Sequence, residues 1–103
     1  MIPVGAFTIP LDHPSLPGHF PGSPIVPGVI LLAEVFALLG AAHPGMRVAG
    51  LLRAKFLRPI RPGEVITLSS RATDACCVEF TGMVGSERAL RGVVRLESAP
   101  LPA

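Results

Sequence analysis

The residues best placed to do chemistry lie in Gly18-His19-Phe20-Pro21-Gly22-Ser23-Pro24-Ile25-Val26-Pro27-Gly28, where one imidazole is set among prolines just ahead of an apolar run. Six of the chain's twelve prolines fall between Pro10 and Pro27. Each fixes its own φ and biases the residue before it toward an extended conformation, so the stretch predicts a stiff, non-helical path that presents His19 with little freedom. Pro27-Gly28 then opens the run from Val29 to Leu39. Proline is favoured in the first turn of a helix, which puts a helix N-terminus here. The first N–H groups of a helix have no partners within it, and a histidine beside them suits an acyl or anion site.

Glu34 is the one charged residue in that run. A carboxylate in an apolar helix must find a cation, reach solvent, or sit in a site that raises its pKa. A general acid needs the last condition, and a salt bridge to Arg53 or Arg58 explains the residue equally well. His13 and His43 stand outside any motif. His43, beside the expected helix end, is predicted to help satisfy the last carbonyls or the helix dipole, and His13 to make a loop contact.

These residues need a scaffold. A strand over Val4–Ile9 precedes the proline-rich segment, and a helix follows from about Gly28 to Ala42, closed by His43-Pro44-Gly45. Apart from Glu34 that helix is apolar all round, which predicts burial on every side by a curved sheet or by a sheet plus a partner subunit. Four strand-like segments come next: Arg47–Leu57, Val65–Thr73, Cys76–Val84 and Ala89–Glu97. Alternation sets Ile66, Leu68 and Ala72 against Thr67, Ser69 and Arg71, and Leu90, Val94 and Leu96 against Arg91, Val93 and Arg95. The first set of each pair is expected to pack on the helix. Short connections suit an antiparallel meander, and residues 1–103 are expected to form one α+β domain.

Half of the 103 residues are hydrophobic and 16% are charged, sparse enough to predict an oligomer that hides apolar surface. The net charge of +2, without a basic cluster interleaved with aromatics, argues against nucleic acid as a partner. Cys76 and Cys77 are adjacent in an expected strand, where successive side chains point to opposite faces, so they are predicted to be two reduced structural thiols. No apolar helix approaches the roughly 20 residues of a membrane span, and no leader pattern is present. A cytoplasmic, soluble protein is expected.

From His19 to Val29, and again from Lys55 to Glu64 (Lys-Phe-Leu-Arg-Pro-Ile-Arg-Pro-Gly-Glu), the sequence closely resembles the β-hydroxyacyl-[acyl carrier protein] dehydratases of the hotdog fold. The resemblance covers nearly the whole chain from about residue 10. It implies an antiparallel sheet wrapped around one long central helix, paired with a second subunit as a homo-oligomer, at least a dimer. It also implies a lyase that converts (3R)-hydroxyacyl thioesters, on acyl carrier protein or CoA, to trans-2-enoyl thioesters in fatty-acid or polyene biosynthesis. His19 would take the α proton, the Gly28 N–H would polarise the thioester carbonyl, and Phe20, Pro27 and Val29 would contact substrate. No metal or organic cofactor is implied.

In that family the histidine works with a carboxylate on the central helix of the neighbouring subunit; its position falls on Ala33 here, with Glu34 one residue later as the available acid. One helical step rotates a side chain by about 100°. Ala33 therefore keeps two other readings open, a hotdog thioesterase in which Glu34 activates water, and a non-catalytic subunit that binds acyl chains or pairs with an active relative. Arg53, Lys55, Arg58 and Arg61 are either a solvated strand edge or a landing surface for an acidic carrier protein and its phosphate.

Overall fold

A computed structural model describes residues 1–13 and 25–99. Its elements are β1 (Ile2–Thr8), α1 (Gly28–Ala42), β2 (Met46–Phe56), β3 (Val65–Ala72), β4 (Cys77–Val84) and β5 (Glu87–Ser98). All strand pairings are antiparallel, in the order β1-β3-β4-β5-β2, so β1 and β2 form the two edges. The backbone of α1 approaches those two edge strands most closely, as it does when a sheet curls around a helix. This is the α+β hotdog arrangement.

Local sequence explains most of these limits. Helix α1 runs over the predicted residues, beginning after Pro27 and ending where the His43 N–H bonds the Gly40 carbonyl. It has no side-chain cap, no acid in its first turn and no base in its last, so packing rather than capping holds it. Leu31, Val35 and Leu39, spaced one turn apart, are fully buried and point at the sheet. They meet Ile66, Leu68, Val78, Phe80, Leu90, Val94 and Leu96 in one apolar cluster. Ser70, not the exposed Ala72, continues the inner face of β3.

Within the single chain the sheet does not cover the helix all round, so of the two arrangements expected from the sequence a curved sheet alone is not the one formed. Val29 is 75% exposed, and Ala33 and Ala37 continue its column on the outer side. The sheet reaches three of the four helix columns, and nothing in the chain's described residues covers the fourth.

The flanks of α1 are identified by two glycines. A Cβ on Gly5 of β1 would lie 2.8 Å from Leu38, and one on Gly28 would lie 2.8 Å from the Phe56 ring of β2. The Ile30-Glu34-Leu38 column therefore faces β1, and the side of α1 carrying Gly28 faces β2. At Gly5 the φ of 144° also demands glycine, beside the bulge between Pro3 and Gly5.

The cysteines depart from expectation as well. Cys76 lies in the bend before β4 and is exposed, and both thiols are free. Because the bend is not extended, the two side chains converge, with their Sγ atoms 4.0 Å apart. Asp74 organises this bend by accepting the N–H groups of Cys76 and Cys77 at 2.8 Å each. Those donors hold its carboxyl below the usual aspartate range.

Candidate active site

The start of α1 is open chemistry. Pro27 O accepts the N–H groups of Ile30 and Leu31, at 3.1 and 3.4 Å. The N–H groups of Gly28 and Val29 have no acceptor among the described residues. Two aligned donors at the positive end of a helix favour an oxygen that carries or develops negative charge.

Beside them lies a largely apolar cavity of about 540 Å³, lined by Val26, Pro27, Gly28, Leu31, Phe56 and Ile60 among others. Its frame comes from the segment after β2. The Val26 N–H bonds Ile60 O at 2.8 Å, and both residues are buried. The Leu57 N–H bonds Ala89 O at 2.8 Å, fixing the exit of β2 against β5.

Arg58 closes the same frame. Its guanidinium donates to both oxygens of Glu64, at 2.9 and 2.7 Å, and reaches Glu87 at 3.4 Å. Glu64 also accepts the Arg61 N–H at 2.8 Å. That backbone donor, followed by the Arg58 guanidinium, holds the Glu64 carboxyl below the usual glutamate range. The Arg-Pro-Ile-Arg-Pro-Gly-Glu motif is thus a rigid turn that walls the cavity.

Of the sequence-predicted site residues, Pro27 and Gly28 come together at the cavity. The Val29 side chain points to the outer column instead, although its N–H stays at the helix start. His19 and Phe20 lie outside the described residues, as does the rest of the expected loop up to Pro24. Glu34 is half-buried on the β1 flank and makes no hydrogen bond or ion pair among the described residues. The salt bridge considered for it is not formed, because Arg58 is committed to Glu64 and Glu87. Ala33, at the position of the family's carboxylate, is exposed on the outer column.

The imidazole of His43 does not cap the helix. The backbone N–H does so, while Nε2 is buried without a hydrogen-bond partner among the described residues. Sequence reasoning missed Phe56, whose ring occupies the space left by Gly28. The signal was present in Lys55-Phe56, but only the register of β2 assigns the ring to the inner face.

A second concavity, about 370 Å³, lies on the outer face of the sheet where Arg53, Lys55 and Arg91 gather around Glu79. The three cations make no ion pair among the described residues.

These features define a hotdog domain whose first helix N–H groups find no acceptor among the described residues and stand beside an apolar cavity. The chain belongs to the ApeI-like family, described as ApeI dehydratase, whose pattern matches residues 3–91. It is 38% identical over 73 residues to a 3-hydroxyacyl-[acyl-carrier-protein] dehydratase FabZ of Thermomicrobium roseum, covering 63% of this chain and 49% of the relative. A FabZ of Chloroflexus aggregans is 40% identical over 74 residues, covering 63% and 51%. The chain thus spans about half the length of these curated relatives. The dehydratase heterocomplex ApeI:P of Xenorhabdus doucetiae shares the fold, with a TM-score of 0.75 at 22% identity over 88% of this chain and 82% of that one.

Proposed function

We propose that this protein dehydrates 3-hydroxyacyl thioesters, carried on acyl carrier protein, to trans-2-enoyl thioesters during acyl-chain biosynthesis in the cytoplasm. The observation that carries the reading is the pair of unpaired N–H groups at Gly28 and Val29 beside the apolar cavity, in a chain of a dehydratase family. The thioester carbonyl is bound at the Gly28 N–H, which stabilises charge developing on its oxygen. His19 removes the α proton, and the β-hydroxyl leaves as water after receiving a proton. Glu34 makes no ion pair among the described residues and lies on the β1 flank, outside the lining of this chain's own cavity, so it supplies that proton only across a subunit interface. Pro27 and Phe20 position the acyl arm, the Val29 N–H offers a second donor beside that of Gly28, and the cavity walls of Val26, Leu31 and Phe56 exclude water around the chain. Arg53, Lys55 and Arg91, which make no ion pair among the described residues, receive the acidic carrier.

Ala33 favours one second reading: a subunit that binds the acyl chain while a partner chain supplies the missing acid. The Xenorhabdus protein is a dehydratase heterocomplex, which makes that assembly a precedent within the fold. The two readings part in one assay. Purified protein is offered a 3-hydroxyacyl thioester on acyl carrier protein, and enoyl formation and free thiol release are both followed. Enoyl product that disappears in His19→Ala supports the dehydratase. Thiol release without enoyl product identifies a thioesterase, and neither product, with retained acyl binding, identifies the subunit.

A further inference from the structure

The bend between β3 and β4 places three metal-ligating groups where no part of the thioester chemistry uses them. Asp74, Cys76 and Cys77 each bring one ligand atom within 4.8 Å of the other two. The backbone that carries them is held on three sides. Asp74 Oδ1 accepts both cysteine N–H groups, Cys76 O accepts the Leu96 N–H at 2.6 Å, and Cys77 O accepts the Thr73 N–H at 3.0 Å.

We propose that Asp74, Cys76 and Cys77 form a binding site for a thiophilic d10 cation of the zinc class. A tetrahedral ion with metal–sulfur bonds of about 2.3 Å holds two thiolates about 3.8 Å apart. The observed Sγ separation of 4.0 Å is within a small side-chain adjustment of that edge. A disulfide, by contrast, needs the sulfurs at about 2.05 Å. The carboxylate of Asp74 supplies the third, harder ligand and a negative charge, and the exposure of Cys76 leaves the fourth position to water or a further donor. On binding, the two thiols lose their protons to solvent as the metal–sulfur bonds form.

The site is remote from the cavity. Along β5, Leu90 pairs with Phe56 at the helix start and Arg95 pairs with Cys77, so five residues, about 17 Å at the strand rise, separate the two ends. Metal binding here is therefore independent of the thioester reading.

The test is a titration of the reduced, chelator-treated full chain with Cd2+, followed by competition with Zn2+. The chain has neither Trp nor Tyr, which leaves the ultraviolet thiolate-to-metal charge-transfer band unobscured. The expected result is a band saturating at one Cd2+ per chain and displaced by Zn2+. Cys76→Ser and Cys77→Ser should each weaken binding by at least a hundredfold. Asp74→Asn, which keeps the Oδ1 acceptor that orders the bend, should weaken it about tenfold. An unchanged circular dichroism spectrum confirms that each variant is folded. Absence of a saturable band, one metal per two chains, or a band that survives either cysteine substitution overturns the proposal.

Discussion

Gly28 and Gly92 both leave space that a neighbour occupies, yet alanine should affect them differently. At Gly92 a Cβ would collide with the Arg53 carbonyl and stand 2.6 Å from the buried Phe80 ring. Neither can move without separating β5 from β2. Gly92→Ala is therefore expected to cost about 3 kcal/mol or more of stability in urea unfolding. At Gly28 the obstacle is the free end of Phe56, which is 43% exposed and can swing away. Gly28→Ala should change stability by less than about 1 kcal/mol, while the displaced ring fills the cavity mouth and lowers kcat/KM at least tenfold. Equal losses of stability at the two positions would contradict this account. At the acid, Glu34→Gln should reduce enoyl formation strongly if Glu34 donates the proton, because an amide cannot. If instead the Ala33 position is what matters, Ala33→Glu should raise turnover and Glu34→Gln should leave it unchanged.

Strand β2 and the turn after it show how an element aims its side chains. Its pairing with β5 slips between Val48 and Gly50 and again between Leu51 and Arg53. A one-residue slip exchanges the faces of every residue beyond it. Leu51 opposes the buried Val94, but after the second bulge Arg53 and Lys55 oppose Val93 and Arg91 on the outer face, and Phe56 opposes the buried Leu90 on the inner face. The bulge thus delivers the aromatic ring to the helix start and the cations to solvent. In the following turn, Glu64 has its folded-state pKa lowered by Arg61 N–H and Arg58. Its contribution is present above the unfolded glutamate pKa of about 4.3 and is lost as pH falls through the lower folded value. Thermal melts should show Glu64→Gln less stable than the parent by about 1 kcal/mol at pH 7. The difference should fade below about pH 4. A difference that persists unchanged at low pH would mean that the ion pair is not its source.

Across the whole molecule, apolar surface remains where a second subunit would sit. The uncovered column of α1 displays Val29, Ala33 and Ala37, and edge strand β2 and its exit expose Leu51, Leu52, Phe56 and Leu57. A long edge strand with exposed leucines is a template for pairing. Among the described residues no helix is long and apolar enough to cross a membrane. Light scattering at micromolar concentration should give at least twice the chain mass, and Leu52→Lys should shift the population toward monomer. A monomeric parent protein would leave the helix column bare and confine any catalysis to one chain.

Periodicity and turn chemistry were enough to locate the elements. Pro27 and His43-Pro44-Gly45 bracket α1 at its observed limits, and every strand end falls within two residues of its sequence-based position. These signals are local, since a proline or an alternating pattern acts on its own few residues. The His19 and Lys55–Glu64 motifs likewise carry the family in the order of residues alone. What the sequence left open depends on neighbours distant in the chain. The bulges that turn Arg53, Lys55 and Phe56 to their faces exist only against β5. Cys76 and Cys77, assigned to opposite faces of a strand, converge because Asp74 bends the chain before β4 begins. The bare helix column appears only once the finite width of a five-stranded sheet is wrapped around a helix that is apolar on every side. Which faces meet is a property of pairing register and packing, and neither is written in the local spacing of residue types.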